Sequence, residues 1–158
     1  MHILARALAC SVLLAASTLA ATDNATSAFE GSWKLNVARS RFNPGPPPRE
    51  ILRSYKVEGD TITMTIDGTR GDGSIIAARA RFKLNGNDAR YSGTASMDTV
   101  SVTSVDARTW NVTAKNKGKL LNQSIFSVSP DGKTLTQTLK GRNFSGELVD
   151  DVLVYERQ

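Results

Sequence analysis

Thr61-Ile62-Thr63-Met64-Thr65-Ile66-Asp67, followed by Gly71-Asp72-Gly73 and then Ile76-Ala77-Ala78-Arg79-Ala80-Arg81-Phe82-Lys83-Leu84, is the stretch that decides the fold. In the first run Ile62, Met64 and Ile66 alternate with Thr and Asp. In the second, Ile76, Ala78, Ala80, Phe82 and Leu84 oppose Ala77, Arg79, Arg81 and Lys83. Successive side chains of a strand point to opposite faces, so each run reads as a strand with one buried face and one wet face. The Gly-Asp-Gly between them supplies the positive φ of a tight reversal, which makes the pair an antiparallel hairpin.

The same period extends in both directions. Upstream lie Trp33, Leu35 and Val37, then Ile51, Tyr55 and Val57 on a face that Arg53 interrupts. Downstream, the inward sets are Val100 and Val102; Trp110, Val112 and Ala114; Phe126 and Val128; Leu135 and Leu139; and Val152 and Val154. Turn chemistry separates them at Glu58-Gly59-Asp60, Asn85-Gly86, Asp106 to Thr109, Asn116-Lys117-Gly118, Ser129-Pro130-Asp131-Gly132 and Gly141 to Gly146. A spacing of roughly ten residues from turn to turn leaves no space for crossover helices, so neighbouring strands pair antiparallel in sequence order. Such a meander hides its apolar faces either as two stacked sheets or as one sheet closed on itself, and unbroken hairpin connectivity favours closure. The expected fold is all-β, an antiparallel up-and-down meander of about 8 to 10 strands closed into a barrel. Ala38 to Glu50, with Pro44, Pro46, Pro47 and Pro48, is too rich in Pro for a paired strand. It reads as a stiff loop crossing one end of the barrel, or as a polyproline ligand for a partner.

The 158 residues suffice for one core but not two. Met1 to Ala21 carries Arg6, an apolar stretch from Ala7 to Leu19 and the small exit residues Ala20 and Ala21, the pattern of a secretory signal peptide. The expected organisation is a signal peptide over 1–21 and a single barrel domain over 22–158, secreted or periplasmic after cleavage. The single Cys, Cys10, and the single His, His2, both fall in the leading segment. A chain cleaved there has no imidazole or thiol, which excludes Ser-His-Asp and Cys-His nucleophiles, zinc sites of the usual ligands and disulfides. The residues single out no catalytic set, no metal ligand and no cofactor. The formal charge of +5 is spread widely, and the clusters Arg39, Arg41, Arg49, Arg53 and Lys115, Lys117, Lys119 have no interleaved aromatic rings, so nucleic acid is not an expected partner. No later segment is apolar enough to form an integral membrane span. Arg70-Gly71-Asp72 is what a hairpin turn contains.

Gly31-Ser32-Trp33-Lys34-Leu35-Asn36, then Ala38-Arg39-Ser40-Arg41-Phe42, then Pro44-Gly45-Pro46 resembles a group of small exported bacterial lipocalin-like proteins of unassigned function, within the wider calycin group. The resemblance covers Phe29 to Gln158. It implies a lipocalin-like barrel in which Trp33 closes the base, with Gly31 before it and a basic residue after the last strand, here Arg157, packed over the ring. The chain departs from true lipocalins in lacking disulfides, the second signature motif and a C-terminal helix.

Such a barrel is expected to be monomeric and to hold a small apolar or amphipathic molecule against Tyr55, Met64, Phe82 and Trp110. Period-two counting puts these four on the inward face of different strands, where the small Ala78, Ala80 and Ala114 leave room. Arg53 is expected near the mouth, since a charge on an inward face needs a partner and an anionic ligand head is one. A bulge that turns Arg53 outward is the other reading. Two further readings stand beside ligand binding. One is an exported protein-interaction or inhibitor module acting through the Pro-rich loop and a barrel rim; the other is an isomerase or lyase using carboxylate, Tyr and Arg. Asp150 and Asp151 do not form an acid and base pair, because neighbours in a strand face opposite ways.

Overall fold

In a computed structural model, residues 26–143 and 146–158 are described; the expected export segment over 1–21, with His2 and Cys10, lies outside the described residues. The strands are β1 (Gly31–Leu35), β2 (Glu50–Glu58), β3 (Thr61–Thr69), β4 (Ile75–Phe82), β5 (Asn85–Ser92), β6 (Thr99–Asp106), β7 (Thr109–Asn116), β8 (Lys119–Val128), β9 (Thr134–Arg142) and β10 (Leu148–Arg157). Each pairs antiparallel with the next, and β10 pairs with β1, so the meander closes into a barrel of ten strands. The decisive hairpin is β3–β4, in register from Ile62 opposite Phe82 to Thr69 opposite Ile75. Among the described residues no helix is long and apolar enough to cross a membrane.

The alternation of the sequence is the alternation of the wall. In β3 the buried residues are Ile62, Met64 and Ile66, and in β4 they are Ala78, Ala80 and Phe82. Four assignments differ. Asn85-Gly86 begins β5 instead of forming the turn, and Leu84 lies in that turn beyond the end of β4. β5 reads Asn-Gly-Asn-Asp-Ala-Arg-Tyr-Ser, with Tyr91 its one buried side chain and a register shift between Asn85 and Asp88, so it lacks the apolar alternation that marks the other strands. Val37 belongs to a short 3-10 turn over Val37–Arg39, capped by the Asn36 side chain accepting from the Arg39 N–H. In β10 the cavity-facing residues are Leu153 and Tyr155, which puts Val152 and Val154 on the opposite face. Val152 to Tyr155 are all apolar, and an unbroken apolar run carries no phase.

One end of the barrel is solid. Phe29, ahead of β1, is fully buried and stacks on Trp110 at 3.6 Å between ring centres, with Tyr55 and Phe82 edge-on to Trp110 at 5.4 and 6.1 Å. Trp33 is fully buried beside them and its indole N–H donates to the Phe29 carbonyl at 2.8 Å. Arg157 caps this end. Its guanidinium carbon sits 4.1 Å from the Trp33 ring centre, and its nitrogens donate to the carbonyls of Gly132, Glu30 and Ala28 at 2.6, 2.6 and 2.7 Å. Gly31 holds φ +113°, and a Cβ there would lie 3.0 Å from Arg157 Nη1. The Gly before Trp33 therefore lets the chain turn in where a side chain would meet the arginine.

At the other end the segment after the 3-10 turn continues the closure. Arg41 exchanges backbone hydrogen bonds with Val152, and Asp150 N–H donates to the Asn43 carbonyl. The Pro-rich loop then crosses the rim to β2, with Pro46 and Pro47 close against Gly71 and Arg49 Nε donating to the Gly71 carbonyl at 3.3 Å. Arg70-Gly71-Asp72 is thus part of the turn that braces this loop.

Candidate functional site in the barrel interior

Above the aromatic plug the barrel interior holds a partly open cavity of about 170 Å³. All five sequence-predicted contacts, Arg53, Tyr55, Met64, Phe82 and Trp110, line it. Phe82 and Trp110 form its floor, and Ile51, Ile66, Val100 and Leu139 are among its apolar walls. Trp33 is not in the lining; it lies in the solid base.

The position of Arg53 follows from strand arithmetic. β2 pairs with β3 in continuous register from Glu50 opposite Thr69 to Glu58 opposite Thr61, so no bulge intervenes. Arg53 then shares the inward face of Ile51 and Tyr55 and is only 8% exposed. It stands opposite Trp33 in β1 and Ile66 in β3, halfway along the wall and not near the mouth. The face count already sets Arg53 between Ile51 and Tyr55, so the expectation of a place near the mouth comes from its charge and not from its spacing.

The contacts of this guanidinium are all with neutral groups. Nη1 donates to the Tyr55 hydroxyl at 3.1 Å and to Met64 Sδ at 3.6 Å, and Nη2 donates to Gln137 Oε1 at 3.4 Å. Its carbon lies 4.9 Å from the Phe126 ring centre and 5.5 Å from that of Tyr155. Nε is buried with no hydrogen-bond partner. Among the described residues no Asp or Glu forms an ion pair with Arg53, and none lines the cavity. The carboxylate, Tyr and Arg combination of an isomerase or lyase therefore lacks its carboxylate here. Asp150 pairs instead with Arg41 and Lys140, while the Asp151 carboxylate accepts from the Asn43 N–H at 2.7 Å.

Burial, the largest influence, works against the charge of Arg53, and the oxygens of Tyr55, Tyr155 and Tyr91 favour it; the resulting rise in its pKa belongs to the alkaline range in which phenols ionise, and at neutral pH the guanidinium is charged as arginine ordinarily is. The phenols respond to the same setting. Burial pushes Tyr91 and Tyr155 above the ordinary tyrosine range, with Arg53 offsetting part of the rise in each. The interior thus holds one cation among neutral hydroxyls.

Four polar residues of this lining escape the sequence reading: Asn122, Ser124, Gln137 and Tyr155. Gln137 sits between Leu135 and Leu139 on the inward face of β9, donates to Ser124 Oγ at 3.1 Å and accepts from the Tyr155 hydroxyl at 3.5 Å. Ser124 is two residues before Phe126 on the inward face of β8. The face count that selected Leu135 and Phe126 also selects Gln137 and Ser124, so the signal was present in the spacing. Tyr155 was lost to the ambiguous phase of β10.

No family model matches this chain. No curated protein matches it either. Among solved structures it is similar to a redesigned β-barrel, mFAP1, bound to DFHBI, with a TM-score of 0.44 and 12% identity over 85% of this chain and 99% of the other. It is also similar to EF1p2_mFAP2b bound to DFHBI, with a TM-score of 0.47 and 13% identity over 87% and 99%. At these values neither likeness bears on what this chain does. The closed meander of ten antiparallel strands itself fits a calycin-like fold.

Proposed function

We propose that this chain is an exported lipocalin-like protein that holds a small apolar or amphipathic molecule inside its barrel. The observation that carries the reading is the division of the interior. One end is packed solid by Phe29, Trp33, Trp110 and Phe82, whereas the other keeps about 170 Å³ lined mostly by apolar side chains. Interiors normally pack to crystal-like density, and an apolar cavity of this size loses dispersion contacts that larger side chains would restore. Ala114 lines the cavity, where a bulkier residue would fill the space, while Ala78 and Ala80 are buried in β4 outside the lining. An apolar cavity of about 150 Å³ accepts a single benzene ring, which sets the scale of the ligand.

The test is a titration of the folded protein with toluene and indole, followed by calorimetry and by the shifts of methyl resonances of Met64 and Ile66. Saturable binding that perturbs those methyls supports the reading. Absence of saturable binding for every single-ring probe removes it and leaves the exposed Pro44 to Pro47 rim as the surface to examine. Export is tested separately by the intact mass of protein recovered from outside the cytoplasm, where retention of His2 and Cys10 counts against cleavage.

A further inference from the structure

The geometry points to a monocarboxylate carried on one ring or a short chain as the ligand of this cavity, with its carboxylate seated on Arg53 in the middle of the barrel. The inference rests on the interior-binding reading above and adds the chemistry of the head and the length of the tail.

The head follows from the donors of Arg53. A guanidinium has five N–H donors in a fixed plane. Two on Nη1 are taken by Tyr55 and Met64, and one on Nη2 by Gln137. That leaves the Nε hydrogen, which has no partner, and one hydrogen on Nη2. Nε and Nη2 lie along one edge of the group, at the spacing that the two oxygens of a carboxylate match; Nε is closed off by its neighbours in this structure, so the pairing requires Arg53 to turn that edge toward the cavity it borders. The acceptors already present are a hydroxyl, a thioether and an amide, so none of them supplies negative charge.

The charge of the head follows from the count of cations. Arg53 is the single ionised group among the residues that line the cavity. One negative charge neutralises it. A dianion such as a phosphate monoester would leave a net charge buried among apolar walls, at the same kind of penalty the arginine alone incurs. Tyr91 holds its proton and serves as a further neutral donor to a bound oxygen, while the Tyr155 hydrogen is already given to Gln137 Oε1.

The tail follows from the space. With Arg53 halfway down the wall, the part of the molecule that is shielded from water lies in the cavity above it. Its walls there include Ile51, Ile76, Val100 and Leu139, and 170 Å³ exceeds by little the volume that takes one benzene ring. A long fatty-acid chain exceeds that space and would carry its end out through the mouth, where burial contributes nothing to binding.

The experiment compares benzoate with benzamide, which has the same shape and no charge, and with toluene, benzenesulfonate and laurate, by calorimetry at neutral pH on wild-type protein. Benzoate is expected to bind at least about tenfold more tightly than benzamide and toluene, and laurate to bind no better than benzoate. In Arg53→Met and Arg53→Gln, benzoate binding should fall by at least about tenfold while toluene binding persists. If toluene or benzamide equals benzoate in the wild type, the carboxylate inference is overturned while interior binding stands. If benzoate binds more tightly but neither Arg53 variant weakens it, the anion sits elsewhere and the inference also falls. If benzenesulfonate exceeds benzoate, the head is a different monoanion and the carboxylate assignment is wrong. If laurate binds far better, the size limit is wrong. If no probe binds, both this inference and the reading beneath it fail. The wild-type comparison decides the question even where a variant does not fold.

Discussion

Replacing Arg53 by Met should make the protein more stable. In the wild type Nε is buried without a partner, which costs about 1–3 kcal/mol. The charge itself is buried without a carboxylate, a cost of several kcal/mol that relaxation reduces but does not remove. Opposing this, the faces of Phe126 and Tyr155 at 4.9 and 5.5 Å return about 0.5–2 kcal/mol each. The hydrogen bond to Tyr55 at 3.1 Å is sound, whereas those to Gln137 and Met64 at 3.4 and 3.6 Å lie at the long limit and contribute less. Met keeps the apolar stem, adapts to irregular space and leaves Tyr55 and Gln137 with only a lost acceptor contact, since Gln137 still bonds Ser124 and Tyr155. The balance favours Met by about 1–3 kcal/mol, in line with the outcome when buried ionic groups are replaced by apolar ones. For a domain of this size that is a rise in Tm of roughly 3–10 °C. The assay is urea denaturation without added ligand, reading the midpoint at unchanged slope. A variant less stable than wild type by more than about 1 kcal/mol would refute the reasoning, because Arg53 would then be a structural hub.

Four other substitutions or conditions have definite outcomes. Trp33→Ala should lose about 3–5 kcal/mol by thermal or chemical denaturation, since the ring is fully buried beneath Arg157 and anchors the Phe29 carbonyl. Gly31→Ala should lose about 1–3 kcal/mol, combining φ +113° with a Cβ set 3.0 Å from Arg157 Nη1; an unchanged midpoint would show that the arginine yields freely. Phe82→Trp should enlarge the floor into the cavity and weaken toluene binding by at least about tenfold, with the fold preserved in circular dichroism. Tyr91 and Tyr155 have folded pKa values above the unfolded reference of 10.0, so their neutral forms contribute stability below pH 10 that is lost as pH rises through the folded values. Alkaline titration should therefore show declining stability above pH 10, less steeply in Tyr155→Phe.

The barrel was legible because most strands have one apolar and one polar face. Thr-Ile-Thr-Met-Thr-Ile admits one phase, and β3 takes it. Where the code is absent the reading fails for a physical cause. β5 pairs with β4 only through Arg79 with Ser92 and Ala80 with Tyr91, and its polar first half is held by its neighbours and the bulge, so its own composition reads as a turn. β10 fails in the opposite way, since four consecutive apolar residues fit either face. Its phase is set by the partners, with Tyr155 opposite Leu135 and Leu35.

The site divides along the same line. Ile51, Arg53 and Tyr55 occupy one inward face in order, and each meets a different layer of the interior: an apolar wall, the midpoint and the aromatic floor. Arg53 stood out in the sequence because a charge broke an apolar series. Gln137 and Ser124 broke theirs as well, but an uncharged polar residue is common on a half-wet strand and attracts no notice. Only closure of the barrel brings them together, because β8 and β9 reach the face of β2 across the interior and not along the chain. The arginine needed no alignment to be found, while the group that orients it, Gln137 held between Ser124 and Tyr155, needed the three-dimensional closure. That arrangement also explains why the guanidinium is held in place without being neutralised. Amide and hydroxyl partners fix its direction, and the absence of a protein carboxylate leaves its charge to be met by what enters the cavity.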